Sequence, residues 1–195
     1  MRVIVVHGIH TNDTEGWMDY MVSRFTKEGY ESFKWTYGYA YALLARFQNP
    51  SRARKLAAII QHGDVIVGHS NGCTLAYMAH RLGAPMQGAI LLNPALDTAT
   101  VFNIPWVNLY PNTTDDVVAW GGILRAHPWG AQGKYGLSKF VDAPHYLTRF
   151  TDFDEPRATG HSGILKPDVL PAWTTRIIHD LQLREQVANQ DQGRR

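Results

Sequence analysis

The chain has 195 residues, 45% hydrophobic and 18% charged, the composition of an ordinary globular protein long enough to bury a continuous core without disulfides or metal ions. Nineteen basic against seventeen acidic residues leave a net charge of +2, too mild to argue for a nucleic-acid partner, and no Lys/Arg run supports one. The single cysteine, Cys73, excludes an intramolecular disulfide, argues against a cysteine-based metal site and fits a reducing compartment.

In chain order, residues 3–6 are a short apolar run entering His7-Gly8, which predicts a buried parallel strand running into a loop. That run is too short for the core of a signal peptide. No stretch approaches the roughly 18 apolar residues of a membrane span, so a cytoplasmic protein is expected. Residues 17–27 carry Trp17, Met18, Met21, Val22 and Phe25 at helical spacing, with Gly29 as a stop. Residues 30–35 suggest a second strand, and residues 51–61 a helix with Ser51 as its cap. Residues 64–67 are a further strand, followed at once by Gly68-His69-Ser70-Asn71-Gly72 and a helical pattern over 73–82 closed by Gly83. Strands are expected at 89–92, 106–110 and 146–150, and a last amphipathic helix at 173–183. Residues 1–183 are expected to form one domain and the polar residues 184–195 a flexible tail. Strands alternating with helices predict an α/β protein with a mostly parallel sheet flanked by helices on both faces.

The segment from Val65 to Ala79 places Gly-x-Ser-x-Gly between a strand and a helix. Small residues two before and two after the serine let strand and helix pack closely around a sharp turn that projects the hydroxyl. The amide of Asn71 then stands at a helix N-terminus, where it can stabilise an oxyanion. On these residues the chain resembles the α/β-hydrolase superfamily, in particular its small, lid-poor serine esterases and lipases. The resemblance implies a nucleophile, an acid and a histidine in that order along the chain. It also implies that the His7-Gly8 loop supplies a second oxyanion donor, the amide of Ile9, with His7 bracing the loop.

A serine nucleophile needs a histidine to accept its proton and a carboxylate to fix that histidine's tautomer. The resemblance implies an acid at the end of the loop just past the strand at 106–110. Asp115 fits the spacing, Asp116 is the choice if the loop is shorter, and Asp97 is a third candidate; either of the adjacent pair can serve as a helix N-cap. The resemblance implies a base near the C-terminus, where Gly160-His161-Ser162-Gly163 precedes the final helix and is similar to the superfamily's histidine loop. His145, His127 and His179 fit less well.

His10, Tyr37 and Tyr39 are candidate substrate contacts, within an aromatic stretch that can equally be core packing. Residues 126–137, with Trp129 and Tyr135 among glycines, are the candidate mobile rim. No cofactor and no metal is expected, since neither phosphate-loop nor metal-ligand spacings occur. The expected activity is carboxylic-ester hydrolysis through an acyl-enzyme, on a small-molecule or surface-presented acyl ester. Thioester or amide cleavage by the same residues, and a non-catalytic binding protein on the same fold, are the alternatives.

Overall fold

A computed structural model describes residues 1–9, 16–38, 42–123 and 129–192. Among these, six strands form one parallel sheet: β1 (Arg2–Val6), β2 (Glu31–Trp35), β3 (Val65–His69), β4 (Gly88–Leu92), β5 (Trp106–Tyr110) and β6 (Tyr146–Thr148), in the order β2-β1-β3-β4-β5-β6. The period-2 alternation of side chains assigns each strand's residues to two layers. Val3, Val5, Val65, Val67, Ile90 and Leu92 face α1 (Trp17–Lys27) and α7 (Leu170–Gln192), packing on Met21, Phe25, Trp173 and Ile177. Ile4, Val6, Ile66, Ala89, Leu91 and Val107 face α2 (Ala42–Ala57) and α3 (Asn71–Arg81), packing on Leu56, Cys73, Leu75 and Ala79. Burying each large aliphatic or aromatic side chain contributes roughly 1.5–3 kcal/mol.

The chain starts one strand in from an edge of the sheet, moves outward to the edge strand β2, then returns past β1 to β3 and continues the other way. Right-handed crossovers place α1 on one face and α2 and α3 on the other. The reversal leaves a crevice between the carboxyl ends of β1 and β3, the position where open α/β sheets bind ligands. Gly8 follows β1 and Ser70 follows β3, so both border that crevice.

Three elements differ from the sequence expectations. Ser51 does not cap a helix: α2 begins at Ala42 and continues through Pro50. The buried positions Ala45, Asn49, Ala53 and Leu56 recur at helical spacing and hold one helix together across the proline, which forfeits one hydrogen bond. The expected flexible tail is helical from Arg184 to Gln192. Its first residues are docked: Arg184 donates to Asn108 Oδ1 at 3.0 Å and lies over the Trp106 ring, while Tyr30 donates its hydroxyl to Glu185. The expected mobile rim is anchored from Trp129 onward. A Cβ at Gly130 would stand 2.6 Å from Asp97 Cα, and one at Gly133 2.8 Å from the Asn93 carbonyl carbon. The short helix α5 (Gln132–Tyr135) follows α4 (Asp116–Ile123) in this part of the chain, and α6 (Thr151–Asp154) follows β6.

Candidate active site

Ser70 links β3 to α3 with φ 54° and ψ −120°, a backbone conformation that costs a non-glycine residue of the order of 1–3 kcal/mol. Its neighbours hold it there. The Ser70 amide donates to Leu92 O at 3.0 Å, and its carbonyl accepts from Cys73 N at 3.1 Å and Ala95 N at 3.2 Å. Gly72 is required by contact: a Cβ there would lie 2.4 Å from Val6 O and 2.8 Å from His7 O. Gly8 faces the serine so closely that a Cβ on it would stand 2.9 Å from Ser70 Cβ and 3.3 Å from Oγ. The serine is therefore pressed between the ends of β1 and β4 and is 4% exposed.

His161 follows Gly160, whose φ of 77° turns the chain, and precedes a 3-10 turn at Gly163–Leu165. Its Nε2 lies 2.7 Å from Ser70 Oγ and its Nδ1 2.8 Å from Asp115 Oδ2. A carboxylate can only accept, so Nδ1 carries the imidazole proton and Nε2 is left to accept from the serine hydroxyl. Asp115 is fully buried and serves two purposes. Its Oδ1 accepts from Val118 N at 3.3 Å, capping α4, while Oδ2 accepts from His161 and from Asn93 Nδ2 at 3.2 Å. Asp116 points outward and pairs with Lys134 on the surface. Asp97 closes its own turn by accepting from Ala99 N at 2.8 Å.

The other histidines are engaged elsewhere. His145 donates through Nε2 to Phe102 O at 2.8 Å, His179 is an exposed residue of α7, and His127 lies outside the described residues. The loops that carry Asp115 and His161 are stitched to each other. Asn112 donates its side-chain amide to Thr151 and to Ala158 O, and the Gly160 amide donates to Thr114 Oγ1 at 2.7 Å.

No family model and no curated protein matches this sequence. Solved structures do match it over nearly its whole length. Alpha/beta hydrolase domain-containing protein 10 from mouse is 13% identical over 92% of this chain and 89% of its own, with a TM-score of 0.63. The esterase Pf2001 of Pyrococcus furiosus is 12% identical over 93% and 80%, with a TM-score of 0.58. A YdeN-like hydrolase from Pectobacterium atrosepticum is 17% identical over 90% and 88%, with a TM-score of 0.50. The chain has the α/β-hydrolase fold.

Within that α/β-hydrolase fold the structure adds residues that motif reading passed over. His69, buried at the end of β3 beside His161, donates through Nε2 to the backbone carbonyl of His161 at 3.1 Å. Burial, and next the neighbouring His161, hold its imidazole down to about 3, so it is neutral. Asn71 and Asn49 form a reciprocal amide pair at 2.7 and 3.2 Å, to which Trp129 Nε1 adds a 3.1 Å bond on Asn71 Oδ1. The local sequence does not signal Asn49 and places Trp129 only in the expected rim, because their shared partner Asn71 is 22 and 58 residues away.

Among the expected substrate contacts, Tyr37 is already engaged by protein groups. Its hydroxyl donates to His7 O at 3.0 Å and accepts from Asn71 Nδ2 at 3.2 Å, its ring stacks on His7, and Arg52 lies 4.6 Å from its ring centroid. His10 and Tyr39 lie outside the described residues. Of the expected oxyanion donors, Asn71 is the first residue of α3, where an N–H has no acceptor within its helix. Ile9 is the residue beyond Gly8. Among the described residues no three of His, Cys, Asp and Glu are grouped to hold a metal ion, and no helix is long and apolar enough to cross a membrane.

Proposed function

We propose that this chain is a serine hydrolase that cleaves carboxylic esters through an acyl-enzyme. The observation that carries the reading is the unbroken hydrogen-bond line from Ser70 Oγ through His161 to the buried Asp115, at 2.7 and 2.8 Å. The strained, close-packed turn that presents the serine supports it, as does the likeness in fold to an esterase and to other hydrolases.

In this mechanism His161 Nε2 removes the Ser70 proton as Oγ bonds to the ester carbonyl carbon. The carbonyl electron pair moves to oxygen, where the amides of Ile9 and Asn71 hold the charge. Asp115 stabilises the imidazolium that forms. The tetrahedral centre collapses, the C–O bond to the alcohol breaks, and His161 passes its proton to the leaving oxygen. Water then enters, gives a proton to His161 and attacks the acyl-serine. Collapse of the second tetrahedral centre returns that proton to Ser70 Oγ and releases the acid.

The direct test is labelling by a fluorophosphonate, followed by turnover across p-nitrophenyl esters of rising chain length, with thioester and peptide controls. Labelling at Ser70 in the wild type but not in Ser70→Ala, with ester turnover above both controls, is the expected result. Folded protein that does not label at Ser70 refutes the enzyme reading and leaves a binding protein on a hydrolase fold. Faster turnover of thioester or peptide moves the substrate class.

A further inference from the structure

The His161 ring meets Ser70 and Asp115, and its reach is set by the backbone that carries it. Gly160, just before it, stands at φ 77° with open space where a Cβ would be, and glycine rotates its flanking peptides at little cost. The Ala158 carbonyl and the Gly160 amide tie this loop to Asn112 and Thr114, on the side of Asp115. The carbonyl of His161 itself is held from the other side, by His69 Nε2–H at 3.1 Å. His69 is the last residue of β3, in register with Leu92 of β4, and immediately precedes Ser70.

The His69 imidazole is built into that position. It is 1% exposed, with the Trp17 ring edge-on at 5.9 Å and the His161 ring at 5.0 Å. A carbonyl only accepts, so the proton of the neutral ring is on Nε2 and Nδ1 keeps a lone pair. Nδ1 is buried without a hydrogen-bond partner among the described residues and faces Gly8, where a Cβ would stand 3.3 Å from it. A second proton there would be an unsatisfied buried donor. It would also set a cation beside the imidazolium that His161 becomes on taking the serine proton. Burial keeps the ring neutral, so it holds the carbonyl without opposing that charge, as a lysine or arginine donor would.

We infer that His69 is a positioning residue for His161: a neutral donor, one residue before the nucleophile, that fixes the backbone of the base to the strand carrying Ser70. The inference rests on the serine-hydrolase reading above. Asp115 sets the plane and tautomer of the His161 ring, while His69 sets how far that ring stands from Ser70 Oγ.

The experiment compares His69→Leu, His69→Gln and His69→Asn in the full chain, with kcat counted per site titrated by a fluorophosphonate. The amide nitrogen of glutamine can stand near the position of Nε2, whereas that of asparagine stands near Nδ1 and faces Gly8. His69→Leu and His69→Asn are expected to lose about 100-fold in kcat with KM little changed, the scale of a 1 Å misplacement of a reacting group, and His69→Gln to stay within about fivefold of wild type. The downfield proton resonance of His161 Nδ1–H should remain sharp in wild type and His69→Gln, and broaden by solvent exchange in the other two.

A kcat loss under about threefold in His69→Leu, equal losses in His69→Gln and His69→Asn, or a loss carried by KM overturns the inference. So does a His161 resonance that is unchanged in every variant. If His69→Leu fails to fold, the Gln/Asn comparison still decides. Wild-type protein unlabelled at Ser70 by a fluorophosphonate overturns the hydrolase reading and this inference with it. Labelled wild type with indifferent His69 variants overturns the inference alone.

Discussion

Asp115→Asn separates the charge of the carboxylate from its role as a helix cap. The asparagine oxygen can remain on Val118 N, but its amide group then stands where Oδ2 now meets His161 Nδ1 and Asn93 Nδ2. A donor facing Nδ1 favours the opposite imidazole tautomer, with the proton on Nε2. That nitrogen, 2.7 Å from Ser70 Oγ, can no longer accept the serine proton. This inversion costs a Ser-His-Asp enzyme about 10⁴ in kcat, or about 5.4 kcal/mol at 1.36 kcal/mol per decade. Stability should fall much less, by about 1–3 kcal/mol for the Asn93 amide left without its acceptor. The assay is steady-state hydrolysis of p-nitrophenyl butyrate alongside a urea melt, with Asp116→Asn as the companion. The Asp116 side chain is 71% exposed and paired with Lys134, so that variant should turn over at the wild-type rate. Activity of Asp115→Asn within tenfold of wild type, or a comparable loss in Asp116→Asn, would refute the assignment of the acid.

Gly72→Ala should lower stability by about 3 kcal/mol or more, because its Cβ would collide with the backbone carbonyls of Val6 and His7 rather than with a movable side chain; an unchanged urea midpoint contradicts this. His69 titrates near 3 when folded but at about 6.5 when unfolded, so the unfolded chain binds the extra proton between those values. Its share of stability is complete above pH 6.5 and is lost as pH falls toward 3, by about 1.4 kcal/mol per unit. His69→Gln should flatten that slope between pH 6 and 4 in urea unfolding while keeping a donor for His161 O, and equal slopes in the two proteins would show that another group is responsible. Cys73 is buried and its thiol is pushed well up by desolvation, so Ellman's reagent should react only as the protein unfolds; rapid reaction of folded protein would place the thiol elsewhere.

Several features were legible in the residues alone because their causes are local. Consecutive β-branched residues at 3–6 and 65–67 mark buried strands, and the helical spacing from Trp17 to Phe25 places α1 at its observed bounds. The Gly68-His69-Ser70-Asn71-Gly72 turn is a steric requirement written into five consecutive positions. Other features depend on partners far along the chain. Adjacent residues at a helix start project about 100° apart. Whether Asp115 or Asp116 points inward is therefore set by where α4 caps, and Asp115 is buried because Asn93 and His161 meet it there. Ser51 reads as the cap of a helix over 51–61, yet the buried face from Ala45 to Leu56 carries one helix through Pro50. Residues 184–192 read as a polar tail, yet Asn108, Trp106 and Tyr30 hold the start of that segment in place. The tautomers of His7, His69 and His161 each depend on an acceptor or donor that only folding brings within about 3 Å. Local sterics and periodicity belong to neighbouring residues and can be read in order; hydrogen-bond direction at a buried site belongs to groups distant in the chain and exists only once the chain has packed.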